Sequence, residues 1–243
     1  MMRILVINPN STRSMTAQIG DSARRAAFAG TVIEAVNPED TPASIEGHAD
    51  EALAVPAMLD LIRAGEARGV DAYVIACFDD PGLDAAREVA RGPVVGICQA
   101  GVHVASTIAS RFSIVTTLPR SVPIIEDLVA GYGASARCRR VRSVNMPVLA
   151  LEEDPETSES RLLHEIGAAR EQDGAEAVLL GCAGMSDLCA RLEARTGIPV
   201  IDGVSAAVKL AEGLVGGGWR TSKIGSYDFP RLKALARPAA AKA

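Results

Sequence analysis

The 243-residue chain lacks any run of basic residues, and its formal net charge is −5. Binding to nucleic acid needs clustered Lys and Arg, so we expect no nucleic-acid partner. No apolar stretch approaches the roughly 20 residues that cross a bilayer, so we expect no membrane partner. Only four apolar residues, Ile4 to Ile7, precede Asn8, which is too few for a signal peptide. The sequence therefore predicts a cytoplasmic protein.

The chain also lacks the usual signatures of metal and nucleotide sites. Its histidines show no ligand spacing, and its five cysteines form no C-x-x-C pair and, being odd in number, no complete disulfide framework. No G-x-G-x-x-G follows the first predicted strand, and no Gly-Lys-Ser/Thr follows Gly181-Cys182-Ala183-Gly184. We expect no metal site and no dinucleotide site.

What the chain has is a regular alternation of short apolar runs and amphipathic stretches. Such alternation predicts βαβ units, and strands that are apolar at consecutive positions predict a sheet covered on both faces by helices. The predicted strands are Arg3–Ile7, Thr31–Val36, Ala72–Ala76, Val94–Ile97, Phe112–Thr116, Ala136–Ser143, Ala177–Leu180, Val200–Ile201 and Lys223–Ser226. The predicted helices are Ser11–Ala29, Asp50–Gly69, Asp80–Ala90, Ala100–Ser110, Pro119–Tyr132, Glu156–Asp173, Ser186–Thr196 and Gly203–Val215.

Two cysteines end matching segments. Cys77 closes residues 70–77 and Cys182 closes residues 175–182; in each, an acidic residue is followed by Ala, a mostly apolar run, a small residue and Cys. Segment 3–9 likewise matches 111–117, and 91–96 matches 196–203 with one inserted residue. We predict an α/β fold of two similar parallel-sheet, flavodoxin-like halves related by a pseudo-twofold axis. The expected division is 1–107, joined by the C-terminal segment 213–243, and 108–212.

Polar clusters follow four of the predicted strands, and ligands of open parallel sheets bind at the carboxyl ends of strands. The clusters are 8–12, 77–80, 116–117 and 182–184. Across a pseudo-twofold cleft, Cys77 and Cys182 would approach a small ligand from opposite faces. Racemisation at carbon needs that arrangement, because one thiolate removes a proton and the other thiol returns one. We expect helix N-termini to lower both thiol pKa values.

Several polar residues near the cysteines and at the other strand ends have two possible roles, helix capping and ligand binding. Asp80, with Pro81 at the first helical position, and Ser186, after a turn at Gly184, can be N-caps. Asp79 and Asp80 can instead accept N–H bonds from a substrate, although their charge would raise the pKa of Cys77. Asn10 and Ser11 can cap the first helix or bind a ligand oxygen, and Thr116 and Thr117 hold the corresponding place in the second half.

Together these segments resemble the aspartate/glutamate/hydantoin racemase superfamily, in particular its hydantoin and allantoin racemase branch. The resemblance rests on residues 7–11, 76–83, 115–117, 181–185 and 223–227. It implies a catalytic cysteine from each half, at Cys77 and Cys182, no cofactor, no metal and a homo-oligomer, often a tetramer or hexamer. It also implies a small-molecule pocket around Asn10, Ser11, Phe78, Asp79, Thr117, Ala183 and Gly184.

The chain differs from related families at several motif positions, and these differences reduce the range of expected substrates. Glutamate racemases have Asp-Ser-Gly where this chain has Asn10-Ser11-Thr12, and Gly-Cys-Thr-His where it has residues 181–184. Arylmalonate decarboxylases lack the first cysteine. The leading hypothesis is cofactor-independent racemisation of a 5-substituted hydantoin or of allantoin. An amino-acid racemase or maleate-isomerase-like enzyme, and a non-catalytic small-molecule-binding protein, remain as alternatives.

Overall fold

Two four-stranded parallel sheets form the framework, in a computed structural model that describes residues 1–231 and 233. The first sheet has the order β2-β1-β3-β4 and the second β6-β5-β7-β8. The strands are β1 Met2–Ile7, β2 Thr31–Val36, β3 Ala72–Ile75, β4 Val94–Gly96, β5 Phe112–Thr116, β6 Cys138–Ser143, β7 Ala177–Gly181 and β8 Val200–Asp202. The predicted α/β fold class is confirmed.

Helices follow most strands and cover both sheets. The α-helices of the described residues are α1 Arg13–Ala26, α2 His48–Ala67, α3 Leu83–Val89, α4 Ile97–Ile108, α5 Val122–Gly131, α6 Ala150–Glu153, α7 Pro155–Gln172, α8 Cys189–Thr196 and α9 Gly203–Gly216. The central strands β3, β5 and β7 are buried at every position. Helices on both faces of a parallel sheet explain these continuous apolar runs. Within the described residues, no helix combines the length and apolarity that crossing a membrane requires.

The internal match extends to individual backbone contacts. The N–H of Asp71 donates to the carbonyl of Arg3 at 2.9 Å, and the N–H of Glu176 donates to the carbonyl of Arg111 at 2.9 Å. In each pair the acidic side chain also accepts the backbone N–H of the arginine, at 2.8 Å in the first and 3.4 Å in the second. The two sheets therefore have the same local structure where these strands begin.

The helices α4 and α9 join the two sheets. Helix α4 follows β4 of the first sheet but packs on β7 of the second, and α9 follows β8 but packs on β3 of the first. The two helices contact each other so closely that a Cβ on Gly203 would lie 2.5 Å from the carbonyl oxygen of Ile97. The division into 1–107 with 213–243, and 108–212, stays a prediction.

The predicted last strand, Lys223–Ser226, is wrong. Gly225 has φ +76° and residues Gly225–Tyr227 form a 3-10 turn, which an extended strand does not allow. The segment nevertheless returns to the first sheet, since the Lys223 ammonium donates to the carbonyl of Arg87 at the end of α3, 2.6 Å away. A cationic side chain is favourable at the C-terminal end of a helix, where carbonyl groups lack partners within the helix. Residues 232 and 234–243, the end of the predicted segment 213–243, lie outside the described residues.

Candidate active site

A cavity opens where the carboxyl ends of β1, β3, β5 and β7 meet. Its volume is about 410 Å³, including the opening to solvent. The lining residues are Asn10, Met15, Ile45, Ala76, Cys77, Phe78, Asp79, Thr116, Thr117, Ser121, Val148, Gly181, Cys182 and Ala183. Of the eleven residues predicted for the site, eight line this cavity, both cysteines among them. Ser11, Asp80 and Gly184 do not.

The two cysteines sit in matching turns. The carbonyl of Cys77 accepts the N–H of Asp80 at 3.1 Å, and that of Cys182 accepts the N–H of Met185 at 3.2 Å. The backbone N–H two residues further on points at each sulfur, from Asp79 to Cys77 and from Gly184 to Cys182. Both thiols are half-buried. Each sheet thus presents one thiol to the same cavity, in a turn of the same form.

Burial dominates the acidity of both thiols. It raises the pKa of Cys77 well above its usual value, and the negative charge of Asp79 raises it further. Burial raises the pKa of Cys182 to about 12, against the N–H of Gly184, which favours the thiolate. The expectation that helix N-termini lower these pKa values is wrong, because α3 begins at Leu83 and α8 at Cys189, each several residues beyond its cysteine.

Asp79 is the acidic group that lines the cavity. Burial raises its pKa to about 7, with smaller contributions from the charges of Glu51 and Asp80. Burial also raises the pKa of Glu51, which lies on α2. At neutral pH, Asp79 is therefore poised between a neutral acid, which can donate a hydrogen bond, and a carboxylate, which can accept one.

Asp80 does not line the cavity, and its predicted contact with substrate stays a prediction. Its carboxylate accepts the N–H of Cys98 at 3.1 Å, the N–H of Gln99 at 2.8 Å and the hydroxyl of Tyr132 at 2.7 Å. It does act as a cap, but on α4 rather than on the helix that follows it. The N-cap of α3 is Gly82.

Three other expectations need correction. The Ser11 hydroxyl donates to the carbonyl of Thr41 at 2.9 Å and does not reach the cavity. Gly184 offers its N–H to the Cys182 sulfur, with no lining surface of its own. Ser186 is not a cap, because it is buried and its hydroxyl bonds that of Ser22 on α1 at 2.9 Å. None of these three residues lines the cavity.

The neutral donors of the cavity differ in availability. The Thr116 hydroxyl donates to the carbonyl of Gly181 at 2.9 Å and is occupied. Among the described residues, the NH₂ group of the Asn10 side chain has only the Met15 sulfur, 3.4 Å away, as an acceptor. The hydroxyl of Thr117 has no hydrogen-bond partner among the described residues, although the residue is 3% exposed. Asn10 and Thr117 are thus free to bind a carbonyl oxygen.

Sequence reasoning missed six lining residues. Ala76 and Gly181 precede the cysteines and could have been included as their neighbours. Four come from helices and loops whose sequences carry no signal: Met15, Ile45, Ser121 and Val148. Ile45 and Val148 meet because the Glu46 carboxylate accepts the N–H of Val148 at 2.9 Å, which joins two distant loops over the cavity. The lining includes no Lys or Arg.

Two parallel sheets that bring paired thiols to one cavity form the arrangement that the sequence predicts for a racemase. The chain belongs to the Asp/Glu/hydantoin racemase family, whose sequence model matches residues 4–211. The predicted family is confirmed.

Similar proteins cover almost the whole chain. A hydantoin racemase of Rhizobium meliloti is 66% identical over 235 residues, which are 97% of this chain and 98% of that one. An allantoin racemase structure from Klebsiella pneumoniae has a TM-score of 0.95 and 48% identity, covering 98% of this chain and 97% of that one. One from Pseudomonas fluorescens has a TM-score of 0.93 and 40% identity, covering 96% and 99%.

Proposed function

We propose that the protein racemises 5-substituted hydantoins through Cys77 and Cys182. The observation that carries this proposal is the pair of matching turns, one from each sheet, that place two thiols on one cavity. A carbon atom held between two thiols can lose a proton to one and gain a proton from the other. Paired acid/base groups of one kind suit a reaction whose two directions are chemically equivalent.

The chemistry follows from the groups present. One cysteine, as thiolate, removes the proton from C5 of the ring, and the electron pair moves onto the adjacent carbonyl oxygen to give an enolate. The free donors of Asn10 and Thr117 stabilise that oxygen electrostatically. The other cysteine, as thiol, then protonates C5 from the opposite face. For the opposite enantiomer the two thiols exchange roles.

A neutral substrate fits the charges of the cavity. The lining residues include no Lys or Arg, and the exposed Arg13 pairs with Glu39 at the surface instead. A free amino acid or maleate carries a carboxylate, which ionised Asp79 would repel and which no cationic side chain in the lining would bind. This distribution supports a ring imide over the substrates of an amino-acid racemase or a maleate isomerase.

The apolar part of the lining supports a hydrocarbon substituent on C5. Met15, Ile45, Phe78 and Val148 are each buried and contribute no charged group. The ureido group of allantoin needs several hydrogen bonds, whereas an alkyl group gains from contact with these side chains. Allantoin is the second candidate, favoured by the similarity to allantoin racemase structures.

We further propose that the enzyme acts in the cytoplasm as a homo-oligomer, a tetramer or hexamer. All five cysteines are free, as is usual in a reducing compartment. Large apolar side chains are exposed, including Leu53 at 66% and Trp219 at 63%. Light scattering coupled to gel filtration measures the assembly directly.

The substrate assignment is tested by chiral chromatography with single enantiomers. We expect the protein, without added metal or cofactor, to racemise a 5-alkylhydantoin with a larger kcat/KM than allantoin, and to leave aspartate and glutamate unchanged. A preference for allantoin would support the second candidate. Racemisation of a free amino acid, or of none of these compounds, would contradict the proposal.

A further inference from the structure

Each sheet and the helices packed on it form what we call a unit, and a hydrogen bond ties the turn that carries Cys77 to the unit of the second sheet. Asp80 follows β3 of the first sheet, whereas Tyr132 directly follows α5, which packs on β6 of the second. The tyrosine hydroxyl donates to the Asp80 carboxylate at 2.7 Å. Asp80 is only 5% exposed, so little water competes for this charge-assisted bond.

The Asp80 side chain is held in one position. Its two oxygens also accept the first free N–H groups of α4, from Cys98 and Gln99. A Cβ on Gly96 would lie 2.3 Å from the Asp80 carboxyl carbon, so the carboxylate sits in space that only glycine leaves open. Asp80 itself has φ +44°, a strained backbone conformation that persists only when its surroundings enforce it.

This position is transmitted to the thiol through the backbone. The N–H of Asp80 donates to the carbonyl of Cys77 at 3.1 Å, and the residue between them, Asp79, directs its N–H to the sulfur. A shift of the Asp80 carboxylate therefore changes where the Cys77 sulfur lies in the cavity.

We infer that Tyr132 and Asp80 are positioning residues for Cys77, which fix its sulfur relative to the second sheet and hence to the substrate. The inference rests on the proposed racemase function and adds two residues to it. Neither residue lines the cavity, so both act through the turn.

The turn of Cys182 has separate ties. The Ser186 hydroxyl bonds that of Ser22 on α1 at 2.9 Å, and the Gln18 amide donates to the carbonyl of Gly184 at 3.3 Å. These bonds also join the two units, but they do not involve Asp80. Loss of the Tyr132 hydroxyl should therefore displace one thiol and leave the other in place.

The test is Tyr132→Phe, with Tyr73→Phe as its matched control. The Tyr73 hydroxyl also donates to a carboxylate, that of Glu66 at 2.9 Å, but outside the cavity. We expect Tyr132→Phe to lower kcat about tenfold or more with KM changed by less than about twofold, because small misplacements of a reacting group are costly. Tyr73→Phe should change neither, while both variants lose similar thermal stability.

Isotope exchange separates positioning from a general structural effect. In D₂O, a displaced Cys77 reprotonates the enolate poorly, so the enantiomer that Cys182 deprotonates should exchange its C5 proton more often per inversion. The exchange-to-inversion ratio should rise at least about threefold for that enantiomer and not for the other. Equal ratios for both, or losses of activity that match those of Tyr73→Phe, would overturn the inference.

A second measurement does not depend on racemisation. Alkylation by iodoacetamide at pH 9, located by mass spectrometry, should modify Cys77 at least about threefold faster in Tyr132→Phe, because the freed turn exposes the thiol. The Cys182 rate should not change. An unchanged ratio of the two rates would overturn the positioning role. A wild-type protein that racemises no hydantoin and no allantoin would contradict the proposed function instead, and the alkylation ratio would still decide the inference.

Discussion

At the scale of single residues, burial makes the two thiols and Asp79 weaker acids than they are in water. Burial raises the pKa of both thiols and raises that of Asp79 to about 7, because burial disfavours the charged form of each group. A racemase needs one thiolate and one thiol at a time. With both thiol pKa values raised, the thiolate fraction, and with it kcat/KM, should increase as the pH rises above 7.

Asp79→Asn tests this electrostatic account. The charge of Asp79 raises the pKa of Cys77, so its removal should shift the rising limb of the pH profile of kcat/KM to lower pH. In the fold the pKa of Asp79 lies above its unfolded value, so its contribution to stability is present at acid pH and lost as the pH rises toward 7.

At pH 8 the free energy of unfolding of the same variant should therefore exceed that of the wild type by on the order of 1 kcal/mol. The difference should vanish near pH 4. Urea unfolding at the two pH values measures it. Stability that is lower than wild type at pH 8, or a pH profile that moves to higher pH, would contradict the account.

Residue-scale prediction from sequence succeeded where the signal was local and repeated. The two cysteines follow strands that are recognisable in the chain, so the shared cavity could be predicted. Asp80 was misplaced because its capping partners, Cys98 and Gln99, lie 18 and 19 residues further along the chain. A local rule assigns a cap to the nearest helix, and only the packing of α4 beside the turn shows otherwise.

At the scale of elements, the contact between α4 and α9 holds the two sheets together. Gly203→Ala should destabilise the fold by about 2 kcal/mol or more, because the new methyl group meets the Ile97 carbonyl oxygen. Gly213→Ala is the matched control on α9, since nothing lies within 4 Å of a Cβ there. Its free energy of unfolding should increase by about 0.5–1 kcal/mol, because alanine has a higher helix propensity than glycine.

Thermal or urea unfolding compares the two variants. If Gly203→Ala and Gly213→Ala unfold at the same midpoint, the close approach of the two helices is not a determinant of stability.

The strands were predictable because helices on both faces require continuous apolar runs, as in Phe112–Thr116. The positions at which helices begin were harder to predict. The backbone after each cysteine forms a turn before the helix begins, at Leu83 and Cys189, and polar residues that look like caps serve other partners. Lys223–Ser226 resembled a strand by composition, but Gly225 turns the chain and the lysine binds the end of α3.

At the scale of the whole molecule, function depends on how the two sheets face each other. Three of the bonds that join the units are Asp80 to Tyr132, Glu46 to Val148, and Ser22 to Ser186. Each fixes a loop at the end of a strand. None was visible from sequence, because each joins residues more than 50 positions apart.

The central claim is that Cys77 and Cys182 act on opposite faces of one carbon atom. Its most direct test is C5 proton exchange in D₂O, measured by NMR on each enantiomer of a 5-alkylhydantoin with Cys77→Ser and Cys182→Ser. Cys138→Ser, which alters a cysteine outside the cavity, is the control and should behave as wild type.

Both cavity variants should lose racemisation by at least about a hundredfold, as expected when a general acid or base is removed. Each should still exchange one enantiomer through its remaining thiol, and the two variants should exchange opposite enantiomers. Exchange of the same enantiomer by both variants, or racemisation by either at the wild-type rate, would contradict the two-thiol account.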